Sequence, residues 1–399
     1  MTTAISPAIS GQFTDSLQQC LVDLRRAIHQ QPELSFRENG TADRLTAALV
    51  AVGVSDVRRV ANTGVVARIP GRRRDAPVVA VRGDIDALPI QEATGLPYAS
   101  SVPGVMHACG HDVHATWAVG AGALLAANPA EGDVLIVLQP AEETGRGALA
   151  ILETGALDGV EAIFGGHVDR RFEVGQVVAD EGPLAASADT FEIEVVGGGA
   201  HAARPHESRD PIVAAAAIIS ALQAIVSRRL NPATPGVVTI GSIHAGSAPN
   251  VIPERAVLAG TVRAVEPQSR ELMLREVRQV TVSVAAAFGV EARVSLDRGT
   301  PPIVNPAQPV AWAREALAST IGKENVVPLG FLNMAGEDFA HYMESIPGCF
   351  MRIGAREPGG PIIPAHAATF YPAEQSIFVG AAALAECARV ASRELTVRR

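Results

Sequence analysis

Cysteine is scarce in this 399-residue chain, where Cys20, Cys109, Cys349 and Cys387 are the full complement. Scattered so widely, they form no disulfide framework, and a reducing, cytoplasmic setting is expected. Long apolar runs are lacking as well. The longest are Ala-rich and broken by Gly, His or polar residues, well short of the roughly 20 residues a membrane span needs. No membrane is expected as a partner. The segment from Met1 to Asp15 has no basic stretch leading into an apolar one, so no signal peptide is expected. Positive charge is also missing. A formal net charge of -9 argues against nucleic acid, which needs clustered Lys and Arg. The one basic run, Arg72-Arg73-Arg74, lies between Gly71 and Asp75-Ala76-Pro77 and reads as a solvated turn.

The apolar set is 48% and the charged set 19%, which predicts a well-buried globular protein too long for one core. Leu17, Leu21, Leu24 and Ile28 predict an amphipathic helix over residues 15–30, ended by Pro32. A second helix is expected over 41–52. Short apolar runs at 64–69, 77–81, 133–138 and 162–166 alternate with helical stretches at 113–127 and 147–154. That order predicts an α/β domain with a mostly parallel sheet covered by helices. From residue 189 the texture changes. Phe191-Glu192-Ile193-Glu194-Val195 alternates with period two, giving a strand with one wet face. A helix from Pro211 to about Leu230, strands at 237–243 and 257–264, a helix near 268–288 and a strand at 291–296 follow. This β-α-β-β-α-β order predicts an inserted, smaller, ferredoxin-like α+β domain over 187–299. It divides the catalytic domain into residues 1–186 and 300–399, the latter opening with a helix at 309–321.

Chemistry concentrates in His107-Ala108-Cys109-Gly110-His111-Asp112, with His114 close behind. Imidazole and thiolate are preferred donors for zinc and similar cations. A structural zinc would use paired Cys-x-x-Cys elements, and none exists, so a catalytic metal site is expected. Gln139-Pro140-Ala141-Glu142-Glu143 places adjacent carboxylates beyond a strand, where one could coordinate while the other handles a proton. The plain alternative is a charged first helical turn. His167 and Asp84 with Asp86 also follow strands, the edge where open α/β sheets bind ligands. His366 lies in a late loop.

These segments resemble the aminoacylase/carboxypeptidase metallopeptidase family, in the branch of hippurate hydrolases, N-acyl-amino-acid amidohydrolases and auxin-conjugate hydrolases. The resemblance rests on Asp84-Ile85-Asp86-Ala87-Leu88-Pro89, Met106 to Asp112, Gln139 to Glu143, and Gly199-Ala200-His201-Ala202-Ala203-Arg204-Pro205-His206. Further along it rests on Pro249-Asn250-Val251-Ile252-Pro253, Gly260-Thr261-Val262-Arg263, Gly336-Glu337-Asp338-Phe339 and His366. It implies two divalent metal ions (Zn, Mn, Co or Ni) held by Cys109, His111, Glu143, His167 and His366, with Glu142 as general base. It further implies Asp86 as a supporting carboxylate, His201 as a small-domain histidine that reaches into the partner subunit's active site and polarises the scissile carbonyl, and Asn250 and Arg263 as binders of a substrate carboxylate. His107 and His114 are expected to be structural.

The implied activity is hydrolysis of N-acyl or N-aroyl amino acids by a homodimer whose small domain serves as dimerisation and lid domain. A dipeptidase or an N-carbamoyl-amino-acid hydrolase is the alternative within the family. A catalytically silent metal-binding homologue, or a nucleotide binder built on Gly197-Gly198-Gly199, is the alternative outside it. Two departures stand out: Val168-Asp169-Arg170-Arg171 lacks the proline common after His167, and Ala367-Ala368-Thr369-Phe370-Tyr371 replaces the usual Ser-Pro step after His366.

Overall fold

A computed structural model describes residues 7–398. Residues 1–6, the start of the segment expected to carry no leader, lie outside the described residues, as does 399. The chain forms two compact units. One runs from the described N-terminus to Gly182, continues through Asn305–Phe331, and ends with the stretch from Asp338 onward. The other comprises Pro183–Val304 and the short Leu332–Glu337.

The first unit is built on a seven-stranded sheet. Its order is Asp56–Val60, Gly64–Ile69, Val134–Gln139, Val78–Asp84, Val160–Glu173, Gly348–Arg356 and Val177–Val178. The four strands from Val134–Gln139 to Gly348–Arg356 run parallel. Every residue of Val134–Gln139 is buried, the mark of a strand covered on both faces. The expectation of a mostly parallel sheet is corrected here to a mixed one. Three of the six pairings among the described residues are antiparallel. The cause is local. Ala61 and Asn62 take positive φ (46° and 67°), which turns the chain directly back and pairs Val60 with Gly64.

A second correction concerns His167. Its strand does not end before His167 but continues to Glu173, because pairing with Gly348–Arg356 persists through Asp169.

Helix His111–Ala127 is buried from His111 through Leu125. Small residues let it lie against its neighbours. A Cβ on Gly83 would stand 2.3 Å from the His114 carbonyl oxygen, so glycine lets the Val78–Asp84 strand approach the helix closely. On the other side, a Cβ on Gly380 of helix Ser376–Val397 would meet the Trp117 ring at 2.3 Å.

The second unit has a four-stranded antiparallel sheet ordered Gly236–Ala245, Arg255–Ala264, Ala188–Val196, Glu291–Thr300. Helices Pro211–Ala224 and Pro267–Ala287 cover one face, with Ile193, Val195, Leu258, Ile218, Leu222, Met273 and Val277 in a shared core. Asp210 Oδ1 accepts from the N–H groups of Ile212 and Val213, capping the first helix. That helix ends in a π-turn at Ile225–Arg229. By length and composition Pro211–Arg229 could cross a membrane. In the fold its Ala214, Ala215, Ile218 and Leu222 face the sheet core.

Gly380→Ala puts a methyl group where the Trp117 ring lies. Overpacking of this kind costs about 1–3 kcal/mol, so the urea midpoint of the variant is expected to fall; an unchanged midpoint would contradict the tight helix contact.

Candidate metal centre

The site begins where the Val78–Asp84 strand ends. Asp86 is buried beyond it and gathers four donors. Its Oδ1 accepts from His111 Nδ1 at 3.1 Å and from the Glu142 N–H at 3.0 Å. Its Oδ2 accepts from Ser35 Oγ at 2.7 Å and from the Glu143 N–H at 3.1 Å. Burial works against the charge, yet the bonds from His111 and Ser35 hold this carboxyl below its usual pKa. An ionised Asp86 makes His111 Nδ1 the donor, so Nε2 is the nitrogen left to face the cluster. That Nε2 is buried and without a hydrogen-bond partner, as is Glu143 Oε1.

The neighbouring histidine is set by backbone. His167 Nδ1 donates to the Val168 carbonyl at 2.7 Å, leaving Nε2 bare and 3.2 Å from Cys109 Sγ. His114 supports this stretch. Its Nε2 accepts from the Val168 N–H at 3.0 Å, and its Nδ1 donates to Asp84 at 2.6 Å.

Gly110, just before the helix, has φ of 89°, and a Cβ there would stand 2.5 Å from Val168 Cγ2. Glycine is therefore needed to bring Cys109 and His111 to the same place.

Glu142 and Glu143 sit on a short 3-10 turn entered through Ala141, which has φ of 53°. Glu142 Oε1 accepts from the Asp338 N–H at 3.3 Å. Asp338 is in turn held by Arg82, Gln139 and the Ala148 N–H. His366 Nε2 comes to 3.5 Å from Glu143 Oε1, and contact with that carboxylate raises the His366 pKa.

Three sets of donor atoms each lie within 4.8 Å of one another: Cys109, His111 and His167; Cys109, Glu143 and His366; and His111, Glu142 and Glu143. The five expected ligands are thus brought together beside Glu142. Bare imidazole nitrogens, a thiol and a carboxylate are the donor types divalent transition ions take. The unpartnered His111 Nε2 and Glu143 Oε1 are the buried atoms that such ions would satisfy. The residues fit a metal, and Cys109 belongs to two of the donor sets.

A further grouping, Asp84 with His111 and His114, reads differently. Both nitrogens of His114 are engaged, and Asp84 also accepts from Arg82 Nη1 at 2.5 Å. This is a satisfied polar network behind the site. His107 stays out of the cluster, and burial pulls its pKa down to about 4.

His201, Asn250 and Arg263 lie in the second unit. His201 pairs with Val251 in a two-residue ladder, and its Nδ1 accepts from the Ala203 N–H at 3.1 Å. The Asn250 carbonyl accepts from the Ala202 N–H at 3.0 Å, so these two residues are neighbours. Arg263 is half-buried on strand Arg255–Ala264, opposite Val237. Ser35 and Asp338 were given no role by the sequence. The motif around Gly336 hinted at Asp338, whose contact with Glu142 is made by a backbone N–H, a group every residue but proline carries.

The fold and this donor set define a metal-dependent hydrolase. A family model described as Peptidase family M20/M25/M40 matches residues 80–390. The chain is 42% identical over 341 residues to N-acetyl-L-cysteine deacetylase of Bacillus subtilis (strain 168), covering 85% of this chain and 81% of that one. It is 39% identical over 368 residues to an IAA-amino acid hydrolase of Arabidopsis thaliana, covering 90% and 83%. The crystal structure of a Bacillus subtilis dinuclear metal binding peptidase from the M20 family matches with a TM-score of 0.84 at 36% identity, over 95% of this chain and 99% of that one. The chain belongs to peptidase family M20/M25/M40.

Because Asp86 orients both His111 and the Glu142–Glu143 turn, Asp86→Ala is expected to weaken metal binding about 10- to 100-fold. Chelator competition measures this, and wild-type affinity in a folded variant would contradict the role given to Asp86.

Proposed function

We propose that this chain hydrolyses N-acyl or N-aroyl amino acids to a carboxylic acid and a free amino acid. The observation that carries the reading is the meeting of five metal-type donors with Glu142, a carboxylate steadied by the Asp338 N–H. Cys109, His111, Glu143, His167 and His366 would hold two divalent ions, of zinc, manganese, cobalt or nickel. When bound, such ions supply Lewis acidity toward a carbonyl oxygen and toward water.

Glu142 takes the proton from the attacking water as its oxygen bonds to the amide carbon. The carbon–nitrogen bond then breaks, and Glu142 returns the proton to the departing amine. His201 has Nδ1 occupied as an acceptor, which leaves an Nε2–H that, offered to the active site of the other copy in the homodimer, would donate to the developing oxyanion. Arg263 offers a planar fork for the substrate carboxylate, with Asn250 as a second donor. The second unit is read as ferredoxin-like, a reading supported by its strand order and its two helices on one face, and its role as lid and dimerisation domain rests on the family resemblance. A homodimer acting in the cytoplasm on small molecules, and not on nucleic acid, completes the proposal. The activities for which the deacetylase and IAA-amino acid hydrolase relatives are named support an acylated amino acid as substrate.

The test is a panel of N-acetyl, N-benzoyl and indole-acetyl amino acids set against dipeptides and N-carbamoyl amino acids. Turnover confined to dipeptides or carbamoyl compounds would overturn the acyl reading. Glu142→Ala should lower kcat on the order of 10²–10⁴-fold with metal content unchanged. Near-full activity in that variant would refute the mechanism.

A further inference from the structure

Three residues beyond His167, the same strand carries Arg170, which is only 2% exposed. Its guanidinium reaches the loop joining strand Gly348–Arg356 to helix Ser376–Val397. Nη1 donates to the carbonyls of Ala355 at 3.3 Å and Tyr371 at 2.8 Å. Nη2 donates to the Pro361 carbonyl at 3.0 Å and to Glu357 Oε2 at 2.9 Å. Cζ lies 4.3 Å from the centre of the Tyr371 ring. One planar fork thus ties down the start, the middle and the end of residues 355–371. It also joins the two segments, 168–171 and 367–371, at which the sequence departs from the resemblance.

His366 belongs to this loop. Its side chain is 54% exposed, so no core packing fixes the ring. Its backbone has φ of 67°, a left-handed conformation that residues other than glycine adopt only when the surroundings impose it. The His366 N–H donates to the Ala108 carbonyl at 2.8 Å, next to Cys109. The ring therefore reaches Glu143 through the shape of the loop.

We infer that Arg170 is a positioning residue. Stacked on Tyr371, it holds residues 355–371 in the conformation that brings His366 to Cys109 and Glu143, and so controls occupancy of the cation position those three form. The inference rests on reading His366 as a ligand. Lysine does not replace Arg170, because one ammonium on a flexible stem cannot bond several separated carbonyls or stack as a plane.

Arg170→Lys and Arg170→Met are to be compared with His366→Ala by zinc content after dialysis and by zinc titration against a chelator, with urea unfolding as the control for the fold. Both Arg170 variants are expected to match His366→Ala: one zinc constant unchanged, the other weaker by about 10- to 100-fold. Tyr371→Leu removes the stacking platform without touching a charge and should shift the same constant, whereas Tyr371→Phe should not. Folded Arg170 variants with both constants at wild-type values, beside a defective His366→Ala, would sink the inference alone. Equal loss of both ions together with a lower urea midpoint would also overturn it, by showing a general role in stability. Should His366→Ala keep both constants, the ligand reading fails, and the inference with it. Should the Arg170 variants not fold, Tyr371→Leu decides, and wild-type constants there overturn the proposal.

Discussion

One buried carboxylate ties the donor cluster to the fold. Asp86 accepts hydrogen bonds from the His111 ring, from two successive backbone N–H groups at Glu142 and Glu143, and from the Ser35 hydroxyl. Those four partners come from three different pieces of chain: a helix N-terminus, a tight turn after a strand, and an N-terminal loop. A carboxylate held away from water is costly unless its lone pairs are filled, so all four partners are needed at once. That requirement turns a hydrogen-bond group into a geometric constraint. If His111 rotates or the turn shifts, Asp86 loses partners it cannot replace with solvent.

The constraint works because the surrounding elements lie unusually close. Gly83 brings the central strand onto the His114 carbonyl, and Gly110 lets Cys109 and His111 fit beneath Val168. With the backbones this near, short side chains reach their partners directly. His114 then joins Asp84 to the Val168 N–H, and the Val168 carbonyl selects the His167 tautomer. The chain thus determines which nitrogen each ring presents, a choice made by oxygen atoms and N–H groups one step behind the donors.

Much of this was legible in the sequence, and the remainder has physical reasons for being hidden. Cys109, His111, Glu142 and Glu143 stand in short runs whose density marks them, and the strands preceding them follow from apolar patterning. The parallel centre of the sheet was legible too. The hairpin at one edge of the sheet was not, since Ala61 is no usual turn former and only its positive φ reveals the reversal. The extension of the His167 strand to Glu173 escaped because it depends on pairing with residues nearly two hundred positions away. Asp338 acts through its backbone N–H, and Arg170 through carbonyls, groups that every sequence contains. His366 was visible only through resemblance, since an isolated loop histidine has no local signature.

The donors come from segments spread between Cys109 and His366, and their supports begin at Ser35. No single stretch of chain, and no hairpin or helix pair forming early from local contacts, contains the whole set. Contacts of such high sequence separation close late, after the entropy of the intervening chain has been overcome. The intact cluster is therefore a product of completed folding. Because ions bound there favour the folded state over every partly assembled one, loading the centre also selects for chains whose architecture has finished forming.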